Sequence, residues 1–204
     1  LLEDHELPLV RGQALIRTGN LFDPKEKRGL AELTGTVLRS GGTQQLTGDQ
    51  LDEKLENMAA SVESGIGESS GSAGFSCLKE NTATVLQLFH DVLVTPAFRQ
   101  EKLDLAKTQI KSAISRRNDE ANSIASREFY RMVYGRDTPY GGEEEYDTID
   151  AVSRKDIVDF YQRYFFPKNI ALSIYGDFDS KQMRTELESV FGTWTVTQLS
   201  VPPF

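Results

Sequence analysis

Histidine and cysteine, the residues that most often hold zinc or act as nucleophiles, are nearly absent from this 204-residue chain. The two histidines, His5 and His90, lie far apart and in no ligand-like spacing. His90 follows Phe89 in an amphipathic segment, which favours a packing or surface role, and His5 lies in a polar lead-in where a solvated side chain is expected. A nucleophilic pair of Cys77 and His90 would need an exposed electropositive setting that the local composition does not offer. Cys77 is therefore expected to be a small buried residue, and as a single cysteine it cannot form an internal disulfide.

Basic residues and long apolar runs are also scarce. Lysine and arginine together number 23 against 31 acidic residues, and the resulting formal charge of −8 argues against nucleic acid as a partner. No apolar run approaches the roughly 20 residues that a membrane-spanning helix needs. The chain starts without an initiator methionine or a signal-like segment, so we expect a piece of a longer precursor whose compartment the sequence leaves open.

The order of periodic segments predicts the fold class. Residues 7–17 alternate as a strand covered on both faces would, residues 61–78 read as a hairpin, and residues 169–175 form an apolar strand. Amphipathic helices are expected between and after these strands. The pattern predicts an α+β fold, with helices packed on one face of a mostly antiparallel sheet. We expect one domain over residues 1–194 and the start of a linker to a second, similar domain over residues 195–204, where Pro202 and Pro203 lie.

Helix ends are marked by capping residues. Asp23, Pro24 and Glu26 predict a helix start by N-cap, first-position proline and capping-box acid. Further caps are expected at Thr47 with Gln50, at Ser153 with Asp156, and at Asp179. The acidic run of residues 143–145 falls in a predicted surface loop; it lacks the spaced oxygen ligands of a calcium loop, so we expect it to be solvated.

Three stretches resemble the insulinase family of zinc metallopeptidases, which includes pitrilysin and the mitochondrial processing peptidase. The first is Gly29-Leu30-Ala31 at the start of a helix that ends at residues 41–43. The second is residues 127–135 followed by Thr138-Pro139-Tyr140-Gly141, and the third is residues 149–169 with residues 176–179 and 191–194. Their order and spacing cover nearly the whole chain. The resemblance implies an α+β domain of the family's type, paired across a linker with a second domain so that two halves enclose a peptide chamber.

Active members of that family carry H-x-x-E-H on the first helix, where two histidines bind zinc and the glutamate activates the metal-bound water. Aligned through Gly29-Leu30-Ala31, the three functional places of the motif are Glu32, Gly35 and Thr36 in this chain. The family's third ligand, a glutamate, should fall near residues 112–114, where no acid occurs. The resemblance therefore implies that this domain has no catalytic residues and no zinc of its own, and that zinc is expected only in an active partner.

Peptide binding is the family property that could remain. In the family, the first hairpin strand pairs with an extended substrate through backbone hydrogen bonds, a mode that tolerates changes of side chain. By resemblance, the substrate-binding residues here are Val62, Glu63, Ser64, Gly65, Ile66 and Gly67. An edge strand that merely contains glycine explains the same residues equally well.

Two hypotheses follow for the function. The chain is either a non-catalytic domain that closes a chamber and binds extended peptide, or a structural scaffold like the core subunits of the respiratory cytochrome complex, which share the fold. An active zinc peptidase whose metal site lies outside this fragment is a third reading. The expected partners are a second domain of the same chain, a peptide substrate, and an active family member as a heterodimer or a second copy as a homodimer. A periplasmic location in a bacterium is suspected from the family alone.

Overall fold

A computed structural model describes residues 1–196 of the chain, and within this range the strands form one five-stranded sheet. The strands are β1 (Leu2–Glu3), β2 (Leu9–Ile16), β3 (Ser61–Ile66), β4 (Gly71–Leu78) and β5 (Ile170–Gly176). Their order across the sheet is β1-β5-β2-β4-β3. The short strand β1 runs parallel to β5, and every other neighbouring pair is antiparallel. The predicted hairpin is confirmed as β3 and β4, with β3 at the edge of the sheet.

Helices fill most of the remaining chain. They are α1 (Leu30–Ser40), α2 (Gly48–Asn57), α3 (Thr82–Val94), α4 (Gln100–Arg116), α5 (Ala121–Tyr134), α6 (Tyr146–Ala151), α7 (Arg154–Tyr164) and α8 (Ser180–Phe191). Within residues 1–196, no helix combines the length and apolarity required to cross a bilayer.

The helices cover one face of the sheet, as the α+β prediction requires. Val10, Ala14 and Ile16 of β2 are fully buried, whereas Arg11 and Gln13 on the alternate positions are exposed. The expectation that this strand is covered on both faces is therefore wrong. Val10, Ala14 and Ile16 point into a core shared with α1 and α3, and the other parity, which includes Leu15, faces solvent.

Helix caps predicted from local sequence are present. Thr47 and Gln50 form a reciprocal capping box at α2, and Ser153 with Asp156 does the same at α7. The side chain of Asp179 accepts hydrogen bonds from the backbone N–H groups of Lys181 and Gln182, in the first turn of α8. These caps depend on residues three or fewer apart, which explains why the sequence was sufficient.

The start of α1 differs from the prediction. The helix begins at Leu30, and Gly29 before it adopts φ +95°, a left-handed conformation that favours glycine. Asp23 still caps the helix, because its two carboxyl oxygens accept the N–H groups of Gly29 and Ala31, each at 2.9 Å. The intervening residues form a turn of 3-10 helix, so the cap acts from a distance rather than from the adjacent position.

Two elements were not predicted. Strand β1 has only two residues, and α6 occupies part of the segment expected to be a loop. Residues 197–204, which include Pro202 and Pro203, lie outside the described residues, so the linker remains a prediction.

Candidate functional site

The degenerate motif lies on α1. Glu32 is half-buried, Gly35 is buried and Thr36 is exposed. These positions offer one carboxylate and no imidazole, which is not the donor set that zinc takes in a catalytic site. Among residues 1–196, no group of three or more His, Cys, Asp and Glu side chains is arranged to hold a metal. The residues present at the motif therefore do not fit the family's zinc ion.

The region expected to hold the third ligand lies on α4, at a cavity beside the start of α1. Ala113 and Ile114 on α4 line a cavity of about 580 Å³, together with Gly29 and Asp23 beside the start of α1. The motif positions Glu32, Gly35 and Thr36 are not among the residues that line this cavity. Neither Ala113 nor Ile114 carries a donor atom on its side chain.

The place of the catalytic base is filled by backbone. A Cβ added to Gly35 would lie 2.5 Å from the nitrogen of Ile66 and 2.8 Å from the carbonyl carbon of Gly65. The hydroxyl of Ser64 donates to the carbonyl oxygen of Gly35 at 2.6 Å. Strand β3 therefore packs directly on α1 at the motif, and a glutamate at position 35 would meet the strand.

One side of β3 is an open sheet edge, because within residues 1–196 this strand pairs with β4 alone. The N–H of Gly67 donates to the carbonyl of Ser70, which fixes the alternation of the hydrogen-bonded pairs along this hairpin. By that alternation, the backbone groups of Val62, Ser64 and Ile66 point away from β4. Strand addition uses such groups, but Ile66 N packs against Gly35 of α1 and the carbonyl of Val62 is bonded to Arg39, so the groups of Ser64 are the ones left for it.

Contacts at both ends limit the open part of this edge. At one end, the carbonyl of Val62 accepts a hydrogen bond from Arg39 Nε at 2.7 Å. At the other end, the backbone N–H groups of Asn20 and Leu21 donate to the carbonyls of Gly67 and Glu68, at 2.9 and 3.2 Å. The stretch between these contacts centres on Ser64 and Gly65. Of the six predicted binding residues, Gly67 lies in the turn beyond the strand.

The acidic loop of residues 143–145 is not solvated as expected. The carboxylate of Glu143 is paired with Arg131 at 3.0 Å, Arg127 at 3.4 Å and Arg117 at 3.5 Å. Arg117 also pairs with Glu145 at 2.7 Å. Cations from α5 and from Arg117, which follows α4, therefore pair with Glu143 and Glu145, and the residues next to the run in sequence did not indicate these pairs.

Glu144, in the middle of that run, packs against the start of α1. Its Cδ lies 3.4 Å from where a Cβ of Gly29 would be. Burial raises the pKa of Glu144 to about 8, and a hydrogen bond to Glu32 and the charge of Asp23 act in the same direction. Burial also raises the pKa of Asp23 to about 7, against the opposing effect of the backbone N–H groups that it caps. A protonated carboxyl at Glu144 can thus donate to Glu32, at the first position of the degenerate motif.

The remaining candidates lie away from this site. His90 Nδ1 contacts Asp91 at 3.0 Å, and its ring packs on Phe191 with centroids 5.2 Å apart, so it is a packing residue of α3. Exposed His5 contacts Asp177 at 2.5 Å. Cys77 is buried, and burial raises the pKa of its thiol, as expected for a core residue rather than a nucleophile.

Comparison with known proteins relates this arrangement to one family. A family model described as Insulinase (Peptidase family M16) matches residues 4–141, and one described as Peptidase M16 inactive domain matches residues 151–204. An uncharacterized zinc protease of Rickettsia bellii (strain RML369-C) is 22% identical over 198 residues, which are 94% of this chain and 47% of that protein. The chain therefore spans about half the length of this curated relative.

Solved structures share the fold. The peptidase M16 inactive domain from Pseudomonas fluorescens superposes with a TM-score of 0.87 at 20% identity, covering 96% of this chain and 48% of that one. The periplasmic protease PqqL from Escherichia coli gives a TM-score of 0.83 at 20% identity, covering all of this chain and 23% of that one. In both cases the likeness extends across the sheet and its helices, and this chain corresponds to a fraction of a longer molecule.

Proposed function

The chain belongs to the insulinase family of M16 peptidases, and on that premise we propose that it is a non-catalytic half of a peptidase-like protein. In this role it closes one side of a chamber and binds extended peptide along β3. The observation that carries the proposal is the open stretch of β3 at Ser64, which lies beside a helix whose motif positions do not fit zinc. Strand addition needs backbone groups rather than particular side chains, so it can outlast the loss of the metal site.

The proposed arrangement includes a second domain of the same type after a linker that begins near residue 195. The length of the matched relatives supports it, since this chain spans about half of the Rickettsia protein. Zinc and the catalytic base would then come from an active family member, as a heterodimer partner, or from a part of the protein outside residues 1–204. A periplasmic setting is proposed on the description of the Escherichia coli neighbour as a periplasmic protease.

Two substitutions at Ser64 test the binding strand. Ser64→Pro removes the outward N–H, and it breaks no hydrogen bond to β4 because that N–H points away from β4. Ser64→Ala is the matched control, because both variants lose the hydroxyl bond to Gly35 but only proline loses the N–H. The probe is fluorescein-labelled casein, an unfolded polypeptide, and binding is followed by fluorescence anisotropy.

We expect Ser64→Pro to weaken casein binding at least tenfold and Ser64→Ala to leave it within threefold of the unsubstituted protein. Equal affinities of both variants and the unsubstituted protein would place binding elsewhere. If the unsubstituted protein does not bind casein at all, the scaffold function is the better account. Metal analysis of the same protein checks the other half of the proposal, since a stoichiometric zinc ion in residues 1–204 would contradict it.

A further inference from the structure

Helix α5 turns its charged side toward the rest of the domain. The side chains of Arg127 and Arg131 are only 15% and 17% exposed, and both pair with Glu143. Arg127 also donates to the carbonyl oxygen of Arg117 at 3.2 Å, which ties α5 to the end of α4. The contacts that hold this helix to its own domain are therefore ionic and polar.

The apolar side of α5 faces outward. Six residues form a surface that we call the aromatic face: Phe129, Tyr130, Met132, Val133, Tyr134 and Tyr140. Phe129, Val133 and Met132 are 62%, 54% and 85% exposed, and none of the residues of α5 is buried. The rings form a continuous row, with centroids 6.1 Å apart from Phe129 to Tyr130, 5.9 Å from Tyr130 to Tyr134 and 5.3 Å from Tyr134 to Tyr140.

This orientation is the reverse of what a surface helix normally adopts. An amphipathic helix buries its apolar stripe against the core and exposes its charged side. Single exposed apolar residues are common and need no explanation, but a contiguous patch of large ones marks an interaction site. Because the polar side of α5 is already bound to its own domain, the aromatic face is available to another body.

We propose that the aromatic face is the docking surface for the second M16-type domain. The inference rests on the two-domain arrangement of the proposed function. The matched relatives carry about as much chain again as the part that corresponds to residues 1–204, so a domain-sized partner is present in proteins of this kind. Protein interfaces typically combine an apolar centre with a polar rim, and the exposed side chains of Glu128 and Arg136, which pair at 3.4 Å, supply charge next to this face. An anionic membrane is disfavoured as the occupant, because the chain carries a net charge of −8.

Site-specific photocrosslinking in the full-length gene product tests the docking surface. Benzoylphenylalanine is placed at Phe129 or at Met132, whose exposure lets the larger side chain be accommodated. The matched control places it at Leu105, an exposed apolar residue on α4. Crosslinked peptides are identified by mass spectrometry, and a thermal unfolding curve equal to that of the unsubstituted protein confirms that each variant is folded.

We expect positions 129 and 132 to crosslink to the chain that follows residue 204, with at least a tenfold higher yield than position 105. Crosslinks to residues 1–204 of another molecule would overturn the proposal in favour of self-association. Absence of crosslinks in folded protein, or equal yields from position 105, would overturn it as well. Casein binding by Ser64 variants is independent of this readout, so loss of the docking surface and loss of the peptide-binding function can be told apart.

Discussion

Replacing Gly35 with alanine is expected to destabilise the protein, although alanine is the better helix former. Inside a helix, alanine is favoured over glycine by about 1 kcal/mol. At this position, however, the added methyl would lie 2.5 Å from Ile66 N and 2.8 Å from the carbonyl carbon of Gly65. Ordinary contact begins near 3.4 Å, so α1 and β3 must separate by several tenths of an ångström.

The magnitude follows from which atoms are in the way. The neighbours of a Cβ at Gly35 are backbone atoms, which cannot rotate aside as a flexible side chain would. Overpacking of this kind costs about 1 to 3 kcal/mol, and the upper end applies here. After subtraction of the helix preference, we expect a net loss of about 2 kcal/mol in the free energy of unfolding. Separation of the two elements would also stretch the hydrogen bond from Ser64 to Gly35.

Urea unfolding of the chain measures this loss. With an m-value of about 2 kcal/mol per molar urea, the midpoint should fall by about 1 M while m stays constant. Gly65→Ala is the control, because a Cβ there meets nothing within 4 Å, and its effect should stay within about 0.5 kcal/mol. If Gly35→Ala proved as stable as the unsubstituted protein, the close packing of β3 on the motif would be refuted.

Two further predictions concern the carboxyl groups beside α1. The pKa of Glu144 is about 8 in the folded protein, against an ordinary value of 4.5. Between these two pH values the folded state holds a proton that the unfolded state has lost, so the free energy of unfolding should decrease as the pH rises. Glu144→Gln keeps a donor toward Glu32 but does not titrate. We expect this variant to show a flatter pH dependence in urea unfolding and a free energy of unfolding higher by on the order of 2 kcal/mol at pH 8. Equal pH profiles for the variant and the unsubstituted protein would contradict the raised pKa. Asp23→Ala should cost about 1 to 2 kcal/mol because it removes the acceptors for Gly29 and Ala31. Asp23→Asn, which keeps one acceptor oxygen, should lose less in the same assay, and equal losses from both variants would rule out capping as the cause.

The sequence predicted those features that depend on neighbours along the chain. The capping boxes at Thr47 and Ser153 and the hairpin of β3 and β4 each involve residues a few positions apart. Helix α1 was predicted too, but its start at Leu30 was missed because Asp23 reaches its N–H partners across a turn of 3-10 helix. Local propensity describes such a long-range cap poorly.

In the candidate site, too, the features that depend on local sequence were predicted and those that depend on tertiary packing were not. The motif positions on α1 and the edge strand were located from the family pattern, but the closeness of Gly35 to Ile66 depends on tertiary packing that the pattern does not contain. The acidic loop was expected to be solvated, and this was wrong because it pairs with cations from elsewhere in the chain, such as Arg117 just after α4 and Arg127 of α5. Arg117, Arg127 and Arg131 precede the acidic run in sequence, but nothing in their spacing indicated which acid each would pair with.

The contacts at both ends of β3 have a consequence for solubility. An exposed sheet edge is a template on which a second chain can add indefinitely, and natural proteins shorten or obstruct such edges to prevent it. Here Arg39 occupies the carbonyl of Val62, and the N–H groups of Asn20 and Leu21 occupy the carbonyls beyond Ile66. At about 3.3 Å per residue, the stretch left open is on the order of 10 Å long. A segment this short can pair with a few residues of a peptide, but it offers too few backbone hydrogen bonds to start a fibril.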